Sequence, residues 1–169
     1  MKLKLLVLHL LFQLKQQRKN KGFTLIELLV VIIIIGILSA VALPNLMAQV
    51  GKAREAEARE MLSALGQAQQ AYFFEKAIFA DDLTKLDIAI KDNRGNYYSF
   101  PNPTVADANK VKHQATSLNP AASITRNYSL GIYNNSGQFS LVLCQSQNIG
   151  GAAEAPDIST DPCRSGNRL

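Results

Sequence analysis

The sequence is poor in the residues from which catalytic and metal sites are built. It has two histidines and two cysteines among 169 residues, and of the two histidines only His113 lies beyond the first 22 residues. His113 stands in a polar stretch with Lys110 and Lys112, without a placed acid or nucleophile for a catalytic relay, so we expect it on the surface. There is no glycine-rich phosphate loop and no two-cysteine metal knuckle. We therefore predict no catalytic residue, no cofactor, no metal site and no enzymatic activity.

Positive charge is concentrated at the beginning of the chain. The formal charge of +5 comes from 18 basic and 13 acidic residues, and six of the basic residues precede Gly22, which leaves 12 basic against 13 acidic residues behind it. Lysine and arginine in front of an apolar helix are typical of the cytoplasmic side of a membrane. The basic balance therefore gives little support to DNA binding and instead predicts a cytoplasmic N-terminus.

Two apolar segments follow one another in the N-terminal third. The first, from Leu5 to Leu14, is followed by the basic residues 15–21 rather than by the small residues that a signal peptidase needs. The second, from Phe23 to Leu43, approaches the roughly 20 residues that cross a hydrocarbon core as a helix and is too long for a buried strand. We predict one membrane-spanning helix, with the remainder of the chain outside the cytoplasm.

A carboxylate near the start of this helix is the exception to its apolar composition. Placing Glu27 inside the membrane costs about 2 to 3 kcal/mol even on lenient insertion scales. In one interpretation Glu27 lies at the interface and its side chain reaches the headgroups. In the other, cleavage after Gly22 creates a charged α-amine on Phe23, which pairs with Glu27 of its own or a neighbouring chain and sets the register of packed helices.

The residues from Gly22 to Glu27, followed by the apolar run, Gly36 and Pro44, resemble the class III signal sequence of type IV pilins and pseudopilins. The resemblance implies that a prepilin peptidase cleaves after Gly22 and methylates Phe23, and that Glu27 aids assembly. It also implies three further partners: other copies of the chain in a filament homopolymer, a pilus assembly platform, and the inner membrane before assembly. The stretch from Pro44 to Ala80 further resembles cyanobacterial pilins. The resemblance allows DNA as a partner only at the level of the whole extracellular filament.

Small residues and a proline suggest how the apolar helix packs. Gly36 and Ala40, about one turn apart, form a small flat face on which another membrane helix can pack closely, although glycine is also tolerated in membrane helices without such a role. Pro44 lacks an amide hydrogen and collides with the carbonyl of Ala40, so we expect a kink or local melting there. In assembled pili of the resembled family this region often unwinds.

The rest of the chain predicts a small head. Apolar residues at spacings of three or four continue the helix to about Ala77, and the mixed charges of residues 52–60 predict a solvated face. Residues 97–100 read as a strand, and residues 127–133 and 138–144 as a hairpin. Five aromatic residues are assigned first to the core: Tyr72, Phe73, Phe79, Tyr128 and Phe139. The predicted fold is α+β, with a leader over 1–22, a membrane or filament-core helix over 23–43, and an amphipathic helix plus antiparallel sheet over 44–169.

Cys144 and Cys163 both lie near the C-terminus, in the part that we expect to reach an oxidising compartment. We expect a disulfide that stabilises the head by roughly 3 kcal/mol, and the other interpretation is two unrelated buried thiols. The segment that the pair encloses resembles the disulfide-bounded loop of pilins. Asp157 and Asp161 within it are too few for a calcium site, which needs about six oxygen ligands.

These observations favour a structural subunit of a type IV pilus, which would serve motility, adhesion or DNA uptake by family resemblance. Two alternatives stay open. The first is a type II secretion pseudopilin or a minor pilin, which differs in stoichiometry. The second is a membrane-anchored binding or enzymatic domain that keeps its leader and never polymerises.

Overall fold

The structure, a computed structural model, describes residues 23–88 and 93–169. The predicted leader and its cleavage position Gly22 lie outside these residues. The chain divides into two compact units, Met1–Ala42 and Leu43–Leu169. In the first unit the described residues are helical from Leu25 onward and are exposed throughout, whereas the second unit contains a helix packed on a sheet.

The first helix, α1, runs from Leu25 to Lys76. At its start the Thr24 hydroxyl oxygen accepts a hydrogen bond from the Glu27 backbone N–H at 3.2 Å, as an N-cap residue does. It ends where predicted, because Ala77 turns into the left-handed region at φ 57°. The helix is continuous through Pro44. A proline removes a single backbone hydrogen bond, and the local melting that we expected there is absent, while a kink stays a prediction.

An antiparallel sheet of six strands forms the second layer of the head. The strands follow the order β1-β3-β4-β5-β6, and β2 also pairs with β3. A 3₁₀ turn at Leu83–Lys85 follows α1, and a short helix, α2, at Pro120–Ser123 connects β3 to β4. The strands are β1 Tyr98–Ser99, β2 Val105–Ala106, β3 Lys110–Ser117, β4 Tyr128–Asn135, β5 Gln138–Gln145 and β6 Asn167–Arg168.

The predicted hairpin is confirmed as β4 and β5. Asn135 pairs with Gln138, which leaves Ser136 and Gly137 as a two-residue turn. Both turn residues have positive φ, 53° and 90°, as the type I′ turn of tight hairpins requires. The prediction of a strand at residues 97–100 is also confirmed, although only Tyr98–Ser99 are paired.

The strand β3, which pairs with β1, β2 and β4, was not predicted from the sequence. Its pairing with β4 runs from Lys110 opposite Tyr133 to Ala115 opposite Tyr128. The strand carries two lysines and a histidine, so its composition looked like a loop. The expectation of a surface position for His113 is wrong, because its side chain is fully buried against Gln69 of α1.

The core of the head lies between the C-terminal half of α1 and the sheet. Ala58, Leu62 and Leu65 of the helix are fully buried in one cluster with side chains of β3 and β4, which are Val111, Ala115, Tyr128, Leu130 and Ile132. The prediction that the aromatic residues are core is confirmed. Phe79 and Tyr128 are buried, and the other three pack against the cluster while partly exposed: Tyr72, Phe73 and Phe139.

The predicted disulfide between Cys144 and Cys163 is present, with a Cα–Cα distance of 5.9 Å. It links the end of β5 to the C-terminal loop. Cys144 is fully buried in a second small cluster with Tyr133, Val142 and Ala155. The disulfide therefore ties a segment that is poor in apolar residues to the ordered sheet.

Candidate functional site

The N-terminal part of α1 is an exposed apolar surface. Every residue from Phe23 to Val50 is exposed, and Phe23 and Leu25 are about four-fifths accessible at 80% and 82%. The helix is long and apolar enough to cross a membrane. Soluble monomers rarely expose contiguous apolar surface of this extent. Lipid or protein must therefore cover this segment.

Glu27 is the sole charged residue between Lys21 and Lys52. It lies in the first turn of α1, where the positive end of the helix dipole favours a carboxylate. Phe23, whose α-amine is the charge that cleavage would create, lies immediately before the N-cap residue Thr24. The structure therefore brings the predicted processing residue and the predicted assembly residue to the same helix end.

Gly36 lies in the middle of the apolar segment. A Cβ atom built on Gly36 meets no other atom within 4 Å. Packing within the chain therefore does not require a glycine at this position. The open surface above it is available to a second helix, as close helix packing in membranes requires.

In the second unit, Glu55 fastens α1 to the sheet. Its carboxylate accepts hydrogen bonds from the Arg126 backbone N–H at 2.9 Å, the Tyr128 hydroxyl at 3.0 Å and the Gln145 side-chain amide at 3.3 Å. Burial, followed by the hydrogen bond to Glu55, raises the pKa of Tyr128 to about 12. The prediction of a solvated face is wrong for Glu55, which is 6% exposed. The reason is that residues 55, 58, 62 and 65 share one helix face.

Two further helix residues hold the loops beside α1. The Glu57 carboxylate accepts hydrogen bonds from the backbone N–H groups of Tyr97 at 3.0 Å and Tyr98 at 3.3 Å. The Arg54 guanidinium donates to the Ser123 carbonyl at 3.0 Å, and it lies 5.2 Å from the centre of the Tyr97 ring. The ring and the guanidinium are close enough for a cation–π contact.

A buried polar pair joins the end of α1 to β3. The Gln69 side chain exchanges two hydrogen bonds of 2.9 Å with the backbone of Ala80, and its amide nitrogen lies 3.0 Å from His113 Nε2. Because the amide donates, Nε2 accepts, and the imidazole is neutral with its proton on Nδ1. Burial lowers the pKa of His113 to about 4. His113 therefore acts as a neutral core residue.

The C-terminal loop is fastened by a cluster of charges. Asp157 accepts from Lys112 Nζ at 3.0 Å and from Lys110 Nζ at 3.2 Å, and it also pairs with Arg164. The hydrogen bonds of Lys112 and then Lys110 hold the pKa of Asp157 below its usual value. Three cations thus occupy this carboxylate. Over residues 23–88 and 93–169 no three His, Cys, Asp or Glu side chains come together as metal ligands.

Comparison with known proteins adds the family. Residues 55–164 match the family model described as type IV pilin-like G and H. This match covers well over half of the chain. The chain belongs to the type IV pilin-like family. Residues 17–43 of this pilin-like chain also match the prokaryotic N-terminal methylation motif, which includes Gly22, Phe23, Glu27 and Gly36.

Three relatives show the range of similar proteins. The type IV major pilin protein PilA of Myxococcus xanthus is 38% identical over 106 residues, which are 63% of this chain and 47% of the relative. The type II secretion system core protein G of Pseudomonas aeruginosa is 32% identical over 81 residues, 48% of this chain and 57% of the relative. The type IV major pilin protein PilE of Neisseria gonorrhoeae is 38% identical over 79 residues, 46% of this chain and 47% of the relative. The chain spans about half the length of the curated relatives it matches. The expected resemblance to cyanobacterial pilins stays a prediction.

Sequence reasoning missed the polar residues that hold the pilin-like head on α1. Glu55 and Gln69 share one helix face with Ala58, Leu62 and Leu65. Their spacing of three and four residues was visible in the sequence, and it places both residues on the buried face. His113 gave no comparable signal, because its side-chain partner Gln69 lies in α1, 44 residues earlier in the sequence.

Proposed function

We propose that this chain is a structural subunit of a type IV pilus, cleaved after Gly22 and polymerised through the apolar part of α1. The observation that carries the proposal is a methylation motif at the start of a helix whose residues from Phe23 to Val50 are all exposed. A membrane covers this surface in the precursor, and the helices of other copies cover it in the filament. The chain is a single-pass protein of the inner membrane, with a cytoplasmic N-terminus, until it enters the extracellular filament.

The transfer from lipid to filament needs specific contacts. Lipid tails and neighbouring helices are equally apolar, so the hydrophobic effect contributes little to the exchange, and close packing and polar contacts decide it. Gly36 supplies a site of close approach. Glu27 supplies the polar contact, because its carboxylate attracts the Phe23 α-amine of a neighbouring chain. Glu27 is the one acidic residue of the apolar segment, so this amine has no other counter-charge at the same depth.

The partners follow from this route. A prepilin peptidase cuts after Gly22 and methylates Phe23, and an assembly platform moves the processed chain into the filament. Motility, adhesion or DNA uptake belongs to the assembled pilus. The head supplies the outer surface of that filament.

A second candidate function is a type II secretion pseudopilin. The matches to core protein G in several bacteria, and the G and H in the family description, favour it. A major pilin dominates the filaments sheared from cells, whereas a pseudopilin or a minor pilin forms a small fraction of them. A membrane-anchored domain that never polymerises is the third candidate, and it predicts a chain that keeps its leader.

The test is Glu27→Leu in the native cell, with Gln49→Leu as the matched control, because both replace an exposed polar side chain of the same helix by leucine. We expect Glu27→Leu to abolish sheared filaments while a processed chain accumulates in the membrane. We expect Gln49→Leu to leave the filament level within about twofold. Equal filament levels in both variants would overturn the role of Glu27, and a wild-type chain that is never cleaved would overturn the proposed function.

A further inference from the structure

An open groove runs along one side of α1 in the head. It has a volume of about 520 Å³ and lies between the helix residues Ala53, Met61 and Ala64 and the aromatic side chain of Tyr97. Glu60 is exposed at its rim. We call this surface the loop flank. It is mainly apolar. Arg54 and Glu57 also line it, but their side chains are hydrogen-bonded to the Ser123 carbonyl and to the Tyr97 backbone N–H, so the exposed Glu60 supplies the charge at its border.

The loop flank prolongs the exposed apolar surface of the helix. Residues 43, 47, 50, 54, 57, 61 and 64 follow one another at spacings of three and four, so they lie along one face of α1. Leu43, Met47 and Val50 at its lower end are exposed at 58%, 49% and 39%. Arg54 and Glu57 interrupt this face, and Met61 and Ala64 in the groove continue its apolar part. A neighbour that covers the lower end of the face can therefore also reach the groove.

The other side of α1 carries the complementary chemistry. Lys52 and Arg59 are exposed there, and Phe74, nearer the C-terminal end of α1, is 76% exposed. The Phe74 ring is 5.4 Å from that of Phe139, and Leu141 on the same face of β5 is 46% exposed. We call this surface the sheet flank. It combines apolar side chains with positive charge.

The charges of the two flanks have no partners within the described chain. Among residues 23–88 and 93–169, neither Lys52 nor Arg59 nor Glu60 takes part in an ion pair. The two flanks lie on opposite sides of α1, so one copy cannot join its own flanks. A contact between unlike surfaces of identical chains is heterologous, and it continues from copy to copy without closing.

We propose that the loop flank of one copy binds the sheet flank of a second copy. The negative rim at Glu60 meets Lys52 and Arg59, and the apolar groove receives the apolar side chains of the neighbour. Opposite charge selects this orientation and disfavours loop flank against loop flank. The inference rests on the proposed filament function and adds a head-to-head interface to it.

The first test places a benzoylphenylalanine photo-crosslinker at Met61 in the groove, with the same probe at the exposed Ala121 of α2 as the control. Intact cells are irradiated, filaments are sheared off, and covalent dimers are mapped by mass spectrometry. We expect the Met61 probe to form dimers linked to residues 52–59 or 139–141 of a second copy, and the Ala121 probe to form none to these residues. A reciprocal probe at Leu141 links to the groove.

A second test uses charge and keeps both flanks folded. Glu60→Lys and Lys52→Glu each reduce sheared filaments about fivefold or more, because each brings like charges together. The double variant restores them to within about twofold. The exposed Asp87, replaced by lysine, is the control and leaves the level unchanged.

The outcomes separate this inference from the proposed function. Normal filaments in which the Met61 probe links to another protein, to another surface of the chain or to nothing overturn the interface and leave the pilus subunit standing. The absence of rescue in the double charge variant also overturns it. A wild-type chain without filaments overturns the proposed function itself.

Discussion

Replacing the buried Glu55 by alanine should destabilise the head strongly, although the residue sits in a stretch of mixed charges. In the variant the Arg126 backbone N–H and the Tyr128 hydroxyl lose the acceptor that they now reach at 2.9 and 3.0 Å. Gln145 keeps a partner, because its amide also donates to the Tyr128 hydroxyl oxygen. A buried donor without an acceptor costs about 1 to 3 kcal/mol, so two of them predict a loss of about 2 to 6 kcal/mol.

The matched control is Glu60→Ala, five residues further along the same helix. Glu60 is exposed, and surface substitutions usually change stability by less than about 0.5 kcal/mol. Both variants gain the same helix propensity of alanine over glutamate, so their difference isolates the buried contacts. A conservative Glu55→Gln variant keeps one acceptor oxygen and should lose about half as much.

The assay is urea unfolding of the processed full chain in detergent, followed by the near-ultraviolet circular dichroism of the head tyrosines. A shift of the midpoint at constant slope gives the change in the free energy of unfolding. If Glu55→Ala unfolds at the same urea concentration as Glu60→Ala, Glu55 does not fasten the helix to the sheet, and the reasoning is wrong.

Three further predictions concern the rest of the head. Cys163→Ser opens the loop between cysteines 19 residues apart and should lower the free energy of unfolding by about 3 kcal/mol, measured by the same urea assay. Because burial lowers the pKa of His113 to about 4 from its ordinary 6.5, the unfolded chain binds a proton that the folded chain does not. The folded protein therefore keeps its full stability above pH 6.5 and loses about 3 kcal/mol of its free energy of unfolding as the pH falls to 4. His113→Leu should lack this loss when unfolding is measured across the same pH range. Asp157→Asn leaves the nearly buried Lys112 ammonium without a counter-charge, so it should lower the melting temperature more than Asp161→Asn, a substitution in the same loop.

Each of these predictions has an outcome that contradicts it. We expect Cys163→Ser to have the same free energy of unfolding as the chemically reduced wild type. If the variant is as stable as the oxidised wild type, the disulfide does not stabilise the head. Equal pH slopes in the wild type and His113→Leu refute the assignment of a neutral buried imidazole. If the Asp157 and Asp161 variants melt at the same temperature, the charge cluster does not fasten the loop.

The sequence was most informative where local chemistry decides the structure. The long apolar run predicts a helix that must be covered, whatever surrounds it. The hairpin could be read from two alternating runs and the four turn-forming residues 134–137 between them. Ser136 and Gly137 have the positive φ that the tight turn requires. The disulfide followed from the compartment that the membrane helix implies, because two cysteines in an oxidising environment pair when they meet.

The errors arose where distant residues decide the structure. The sequence of β3 alternates poorly between apolar and polar residues, so it does not indicate a strand. Its polar residues Lys112 and His113 are nevertheless both buried, because their partners lie far away in the sequence. The burial of Lys112 depends on Asp157, and that of His113 on Gln69. No local pattern shows such pairs. The position of Glu55 was readable from helix spacing, but its charge suggested a solvated face.

The most direct measurement is the intact mass of this chain in filaments sheared from the surface of the native cell. The account predicts a major species that begins at methylated Phe23 and retains the disulfide between Cys144 and Cys163. A chain found in membranes alone, with residues 1–22 still attached, would contradict it.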